Sequence, residues 1–122
     1  MKRIILLAFL CTTTLVMAQR INHVQEAIAN YDYEAALTLI AKEKPTIPLL
    51  LQKGKAQRGL GLNAEALSTY QEIIANDTAN TRAYIEAAEC CRSLAKNQQA
   101  LKYYEHALDL NPENKYVRIQ YI

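Results

Sequence analysis

Residues 81–114 read TRAYIEAAECCRSLAKNQQALKYYEHALDLNPEN, and they come after a related stretch at 47–80, IPLLLQKGKAQRGLGLNAEALSTYQEIIANDTAN. The two segments align without a gap at a period of 34 residues. Positions that carry the same residue in both copies include Arg58/Arg92, Leu60/Leu94, Ala66/Ala100, Leu67/Leu101, Tyr70/Tyr104 and Asn80/Asn114. A repeat of this length is typical of a solenoid, in which stacked copies bury the apolar face that one copy cannot bury alone.

Each copy is predicted to form two helices joined by a short turn. In the copy at 47–80, small and apolar residues favour a first helix over 48–59. Gly59 and Gly61 end this helix because glycine adopts turn conformations at little cost. Asn63 then has the position of an N-cap for a second helix, which reaches about residue 75. The buried stripe of the second helix is predicted to be Ala66, Leu67, Tyr70, Ile73 and Ile74.

The copy at 81–114 has the same plan. A first helix is predicted over 81–94, and Asn97 is predicted to cap a second helix over 98–110. The second helix ends before Pro112, because proline cannot continue a helix and restricts the residue before it. Its buried stripe is predicted to be Ala100, Leu101, Tyr104, Ala107 and Leu108.

The repeat resembles the tetratricopeptide repeat (TPR), a helical hairpin with small residues at the helix crossing, an aromatic residue in the second helix and a closing proline. The residues that carry the resemblance are Gly54, Ala66 and Tyr70 in one copy and Ala88, Ala100, Tyr104, Ala107 and Pro112 in the next. The copy at 47–80 departs from the pattern at Ile73, where the family has alanine, and at Thr78, where it has proline. The resemblance implies an all-α fold, a right-handed superhelix of antiparallel hairpins with about 2.5–3 repeats.

Two shorter segments flank these copies. Residues 19–46 are predicted to form a degenerate first hairpin, which keeps Tyr33 and Ala36 but whose second helix is cut short by Pro45 and Pro48. Residues 115–122 are predicted to start a further or capping helix. Their apolar composition is poor for a cap, which should present a polar outer face, and slightly favours an interrupted array over a cap that buries itself.

Residues 1–18 are predicted to be a secretory signal peptide. Lys2 and Arg3 precede a largely apolar stretch that ends in Ala18, and cleavage is expected after that residue. An uncleaved membrane anchor is the weaker alternative, because a span needs about 20 apolar residues. Lipidation of Cys11 is disfavoured by the bulky Leu10 before it. The style of the segment looks bacterial, so the mature chain is expected in the periplasm or cell envelope.

The composition excludes several classes of function. The 14 basic and 12 acidic residues become 12 of each once Lys2 and Arg3 are removed, which disfavours nucleic-acid binding. His23 and His106 lack neighbours at ligand spacing, so no metal or cofactor is expected. Gly59 and Gly61 lack the context of a phosphate loop, and no catalytic constellation is visible, so the chain is predicted not to be an enzyme. The adjacent Cys90 and Cys91 are predicted to be buried, with an intermolecular disulfide as the alternative.

The predicted function is a protein–protein interaction module of the envelope that binds a peptide or protein in its concave groove. The alternative is the N-terminal part of a larger envelope receptor or secretion-machine subunit. The resemblance implies that first helices line the groove, at Leu51, Lys55 and Arg58 and again at Ile85, Glu89 and Arg92, with Ile21, Gln25 and Ile28 extending the stripe. The family's clamp for a C-terminal carboxylate is not reproduced, because Leu51 and Ile85 are apolar.

Two alternatives on this surface stay open in the sequence. Arg58 and Arg92 either face an acidic group of a partner or pair with nearby glutamates, and Leu51 and Ile85 either anchor the partner or pack inward. Residues 77–79, Asp-Thr-Ala, either form an ordinary turn or carry a glycan.

Overall fold

The computed structural model describes residues 2–121, with the side chains of residues 11–16 and 18–120. All regular structure in this range is helical. The helices are α1 (Lys2–Ala29), α2 (Tyr33–Ala41), α3 (Ile47–Gly59), α4 (Asn63–Asn76), α5 (Thr81–Ser93), α6 (Asn97–Leu110) and α7 (Lys115–Tyr121). Helices α1–α2, α3–α4 and α5–α6 pair as hairpins, α4 packs on α5, and α7 packs on α6. The predicted all-α solenoid of stacked hairpins is confirmed.

The three turns within the hairpins share one hydrogen-bonding pattern. At the end of α3, the Gly61 N–H donates to the carbonyl of Arg58 and the Leu62 N–H to the carbonyl of Gln57, both at 2.9 Å. The same pair of bonds closes α1 and α5. This is the Schellman motif, which satisfies the last carbonyls of a helix and needs a left-handed residue. That residue is Tyr31 (φ 60°), Gly61 (φ 76°) or Ala95 (φ 59°).

The predicted caps at Asn63 and Asn97 are wrong. Each asparagine is the first helical residue, and the N-cap is the residue before it, Leu62 or Lys96, without a side-chain hydrogen bond to the helix. The physical reason is the turn: its last residue donates back to the preceding helix and starts the next one at once. Only Asp32, at the corresponding place in the first hairpin, adds a side-chain cap, accepting from the Ala35 N–H at 3.1 Å.

Two clusters of buried side chains form the core, and they meet at α3. The larger cluster lies between α3 and α7, around Tyr70, Ile73, Tyr104 and Val117. The smaller one joins α1, α2 and α3 around Val24, Ile40 and Leu49. Between α3 and α4, the buried Thr69 hydroxyl donates to the Gln57 side-chain carbonyl at 2.7 Å, so this polar pair is internally satisfied.

The predicted buried stripes hold with one exception. Ala66, Leu67, Tyr70 and Ile73 of α4 and Ala100, Tyr104 and Ala107 of α6 are buried, and Ile74 and Leu108 are partly buried. The predicted burial of Leu101 is wrong, because its side chain is 45% exposed, against 5% for its counterpart Leu67. Leu67 is covered by the hairpin after α4, whereas in the described residues α6 is succeeded by the single short helix α7.

The small residues of the repeat lie at the helix crossings. Gly54 is buried in α3 under the ring of Tyr70, and Ala88, which holds the same position in α5, is fully buried in the core cluster that contains Tyr104. Ala66 and Ala100 are buried as well. The predicted role of these positions, close approach of two helices, is therefore confirmed.

Both ends of the chain contain helix. α1 runs without a break through the segment predicted to be removed, and its described side chains from residue 11 to residue 20 are exposed. Cleavage after Ala18 stays a prediction, and Met1 lies outside the described residues. Within the described part of the chain, no helix is long and apolar enough to cross a membrane. At the other end, α7 buries Val117 but leaves Tyr116 and Ile119 exposed.

Candidate functional site

The first helix of each hairpin contributes to one face, where two pockets lie. The C-terminal pocket, of about 520 Å³, is lined by Arg58 of α3, by Thr81, Arg82, Ile85, Glu86 and Glu89 of α5, and by Asn114 and Tyr116. The N-terminal pocket, of about 350 Å³, is lined by Gln25, Ile28 and Ala29 of α1, by Tyr31 and Tyr33, and by Gln52 and Lys55 of α3. Both volumes fall within the range of ligand pockets in proteins.

Six of the nine predicted groove residues line one of these pockets, and Ile21, Leu51 and Arg92 line neither. Arg58, Ile85 and Glu89 line the C-terminal pocket, whereas Gln25, Ile28 and Lys55 line the N-terminal pocket. Leu51 and Ile85 are partly buried and pack against the larger core cluster, so inward packing is the better description of Leu51. Ile21 packs on the smaller cluster in the same way, so of the predicted apolar ladder Ile21 and Leu51 contribute to the core, whereas Ile85 also lines a pocket. The binding role of these residues stays a prediction.

An ion pair closes one wall of the C-terminal pocket. The Arg58 guanidinium donates to the Glu86 carboxylate, and the two side chains are 32% and 23% exposed. Because both charges are half-buried and neutralise each other, Arg58 has little residual attraction for an acidic ligand. The alternative that Arg58 pairs with a nearby glutamate is confirmed.

Glu89 is the centre of a second polar cluster on the same wall. Its Oε1 accepts hydrogen bonds from the hydroxyls of Tyr104 at 2.5 Å and Tyr116 at 2.6 Å. Its other oxygen lies 3.5 Å from the Arg92 guanidinium, which also donates to the Gln120 side chain at 2.7 Å. Arg92 is therefore paired as well, and the predicted basic pair of Arg58 and Arg92 is two separate ion pairs.

The surroundings of Glu89 change its ionisation. Burial by itself would raise the pKa of the Glu89 carboxyl, but the hydrogen bonds from the Tyr104 and Tyr116 hydroxyls and the Arg92 charge hold that pKa below its ordinary value. Burial and the bond to Glu89 raise the pKa of Tyr104. Both groups therefore keep their ordinary charge states near neutral pH, with the tyrosine hydroxyl as donor and the carboxylate as acceptor.

Sequence reasoning missed several pocket residues. Arg82 and Glu86 lie one turn apart on α5, and Tyr116 stands one repeat after Arg82. Helical spacing could have placed Glu86 on the face of Arg82, and the period could have placed Tyr116 there too, because positions 82 and 116 are equivalent in the repeat. Arg82 is exposed, and in the described part of the chain no hydrogen bond or ion pair joins it to another residue. Of the two arginines that line the C-terminal pocket, Arg82 is therefore the one whose charge is available to a ligand.

Cys90, Cys91, His23 and His106 lie outside both pockets. Cys90 and Cys91 are free thiols with no exposed surface, and burial raises the pKa of Cys90 to about 11. Their predicted burial is confirmed. His106 stacks on Tyr84 with ring centroids 5.4 Å apart, and His23 lies 3.9 Å from Glu26 on exposed helix surface. The described side chains contain no group of three or more His, Cys, Asp or Glu arranged to hold a metal ion.

One hairpin of the protein matches a known repeat family. Residues 81–114, the hairpin α5–α6 with its flanking caps, match the family model described as tetratricopeptide repeat. The segment is thus similar to a single TPR. The matched residues have the same bounds as the copy defined by the internal period, and the copy at 47–80 repeats its hairpin, its turn and its small-residue crossing. Among curated proteins, none matches the chain significantly.

Solved structures, among them TPR domains, are similar over most of the chain. PcrH in complex with the chaperone-binding region of PopB has a TM-score of 0.77 at 18% identity, covering 87% of this chain and 91% of that one; a structure of PcrH from Pseudomonas aeruginosa is also similar. The first TPR domain of human RPAP3 has a TM-score of 0.77 at 22% identity, covering 84% of both chains. The first TPR of Spaghetti (RPAP3) bound to the HSP90 peptide SRMEEVD has a TM-score of 0.80 at 22% identity, covering 85% and 86%. At these identities the similarity establishes the fold.

Proposed function

We propose that this protein is an interaction module that binds a peptide or protein segment along the face formed by its first helices. The observation that carries the proposal is the pair of pockets on that face, each lined by successive first helices of the solenoid. Two proteins of similar fold support it, since one was solved with a chaperone-binding region and another with a peptide. The module is proposed to act without catalysis, cofactor, metal or nucleic acid.

The C-terminal pocket is the proposed contact for the partner's polar groups. Arg58 and Arg92 are internally paired, so the role predicted for those two arginines passes to Arg82. Ile85 and the exposed edge of Tyr116 lie in the same pocket and supply apolar surface beside Arg82. A partner segment with one acidic and one apolar side chain fits this combination.

Arg82→Glu tests this route of binding. The partner is captured from cell-envelope extract by crosslinking to the purified protein and identified by mass spectrometry. Reversing the charge in the pocket should lower affinity for the captured partner by roughly tenfold or more. Lys102→Glu is the matched control, because Lys102 is exposed on α6 outside both pockets and forms no ion pair with the described residues. Equal capture by both variants would contradict the proposal.

The cellular location is part of the proposal and has its own test. The basic start and apolar stretch of residues 1–18 support export to the bacterial periplasm or envelope. Fractionation of the producing cells and N-terminal sequencing should find a mature chain that begins at Gln19 in the periplasmic or envelope fraction. A full-length chain in the cytoplasm would contradict export.

A further inference from the structure

Tyr31 differs from the equivalent turn residues of the other two hairpins in the size of its exposed side chain. Its backbone is left-handed (φ 60°), where the equivalent positions hold Gly61 and Ala95, and its side chain is 79% exposed. A left-handed conformation is unfavourable for a residue with a side chain, and an exposed ring recovers little of that cost by packing. Ala95 has the same backbone conformation, so the turn accounts for the left-handed backbone, and the large exposed ring is what is particular to Tyr31.

The ring of Tyr31 is nevertheless held in a defined orientation. It meets the ring of Tyr33 edge-on, with centroids 6.3 Å apart and planes at 77°. Tyr33 in turn lies against Gly59 of α3, where an added Cβ would come within 2.7 Å of the Tyr33 Cδ2. The absence of a side chain at Gly59 therefore leaves room for the Tyr33 ring. The Tyr33 ring in turn contacts the exposed ring of Tyr31, so the two rings form a pair.

The rest of the N-terminal pocket offers hydrogen-bonding groups that are not used within the protein. Gln25, Gln52 and Lys55 line it, and within the described residues none of them makes a side-chain hydrogen bond or ion pair. No carboxylate of the described residues lines this pocket. The C-terminal pocket differs, because Arg58, Glu86 and Glu89 are bound to one another or to tyrosines. The N-terminal pocket is thus an aromatic surface surrounded by uncommitted donors.

We propose that the N-terminal pocket binds a proline-containing extended segment of a partner, with a prolyl ring on Tyr31. A polyproline II segment presents its prolyl rings to aromatic surfaces, and its carbonyls have no internal hydrogen bonds. The side-chain amides of Gln25 and Gln52 and the ammonium of Lys55 donate to those carbonyls. The inference rests on the proposed function and identifies the chemistry of the segment at one end of the binding face.

The test uses an oligoproline of about ten residues, which is about 30 Å long and spans the pocket. It is titrated into isotope-labelled full-length protein and monitored by NMR. The side-chain amide signals of Gln25 and Gln52 should shift. Tyr31→Gly should weaken binding roughly tenfold or more, as expected when an aromatic anchor is removed, yet melt no lower than the parent protein. Ala95→Gly is the matched control, because it changes the equivalent turn residue and should leave binding unchanged.

Several results would overturn the proline assignment: no shift of the Gln25 and Gln52 signals, equal binding by Tyr31→Gly, or equal binding of a glycine–serine peptide of the same length. Binding of a cello-oligosaccharide that depends on Tyr31, without binding of oligoproline, would assign the pocket to a glycan instead. Failure of the proposed function is separate. If Arg82→Glu abolishes partner capture while oligoproline does not bind, only the proline assignment is wrong. If oligoproline binds but Arg82→Glu captures the partner as well as the parent protein does, the proposed contact between the partner and the C-terminal pocket is wrong.

Discussion

The ring of Tyr70 lies directly over Gly54, so a Cβ added to Gly54 would come within 2.7 Å of the Tyr70 hydroxyl oxygen and closer still to the ring carbon Cζ. Tyr70 is 1% exposed and Gly54 is buried, so neither has free space beside it. The closeness of α3 and α4 in this hairpin thus depends on a missing side chain.

Gly54→Ala should therefore destabilise the protein, although alanine favours a helix by about 1 kcal/mol over glycine. Overpacking a tight core costs about 1–3 kcal/mol, and with three Tyr70 side-chain atoms within 2.8 Å of the added Cβ the cost should lie above the low end of that range. Urea unfolding monitored by circular dichroism measures the difference. In a Tyr70→Leu background the same change should become neutral or stabilising, because the ring that blocks the Cβ is gone. A stabilising effect in the parent protein would contradict the close contact.

Lys96→Asp should stabilise the protein by about 0.5–2 kcal/mol, the usual contribution of an N-cap side chain. Lys96 is the N-cap of α6 and has no side-chain bond to the helix. Its backbone (φ −92°, ψ 65°) is close to that of Asp32 (φ −89°, ψ 72°), whose carboxylate caps α2. Thermal unfolding compares Lys96→Asp with Lys96→Ala, which removes the same charge without adding a cap. Equal stability of the two variants would show that the carboxylate does not bond to the helix.

The stability of the protein should fall in acid partly through Glu89. The pKa of Glu89 is lower in the folded state than its ordinary value of 4.5, so the unfolded chain binds the proton more tightly. The contribution of Glu89 is therefore complete above pH 4.5 and is lost as the pH falls through the lower folded pKa. Denaturant unfolding as a function of pH should give a flatter acid limb for Glu89→Gln. An unchanged slope would mean that Glu89 is not hydrogen-bonded to Tyr104 and Tyr116 in solution.

Cys90 and Cys91 should react slowly with a thiol reagent in the folded protein and rapidly in denaturant. Both side chains are fully buried, and burial raises the pKa of both thiols, so thiolate is scarce near neutral pH. Cys11 is exposed and serves as the internal reference in the full-length chain. Three fast-reacting thiols in the native protein would contradict the burial of α5.

Sequence periodicity was sufficient to predict the fold, because the same helix, turn and crossing positions recur in each repeat. The period located the hairpins, and small residues at 54, 66, 88 and 100 marked the crossings. The caps at Asn63 and Asn97 were misplaced because a Schellman turn joins two helices without a separate capping residue. The exposure of Leu101 depends on how much of α6 the short helix α7 covers, and the residue pattern within α6 does not contain that information.

The site was predicted less completely than the fold. Helical spacing selected residues most of which line one of the two pockets, and their role in binding stays a prediction. It did not give the charge partners, because Arg58 pairs with Glu86 across two helices and their approach depends on packing geometry. Tyr31 was also missed, since a left-handed aromatic residue in a turn has no periodic pattern that would distinguish it.

The meeting of two core clusters at α3 has a consequence for how the molecule opens. Leu49 belongs to the cluster of the first hairpin, and the adjacent Leu50 belongs to the cluster of the other two hairpins. Since each hairpin of a solenoid contacts only its neighbours, α1 and α2 can detach while the larger cluster stays intact. Amide protons of α2 should then exchange with solvent before those of α4 and α5. The N-terminal pocket would be lost in such a partly open state and the C-terminal pocket retained, so a partner that occupies both would slow exchange mainly in α2.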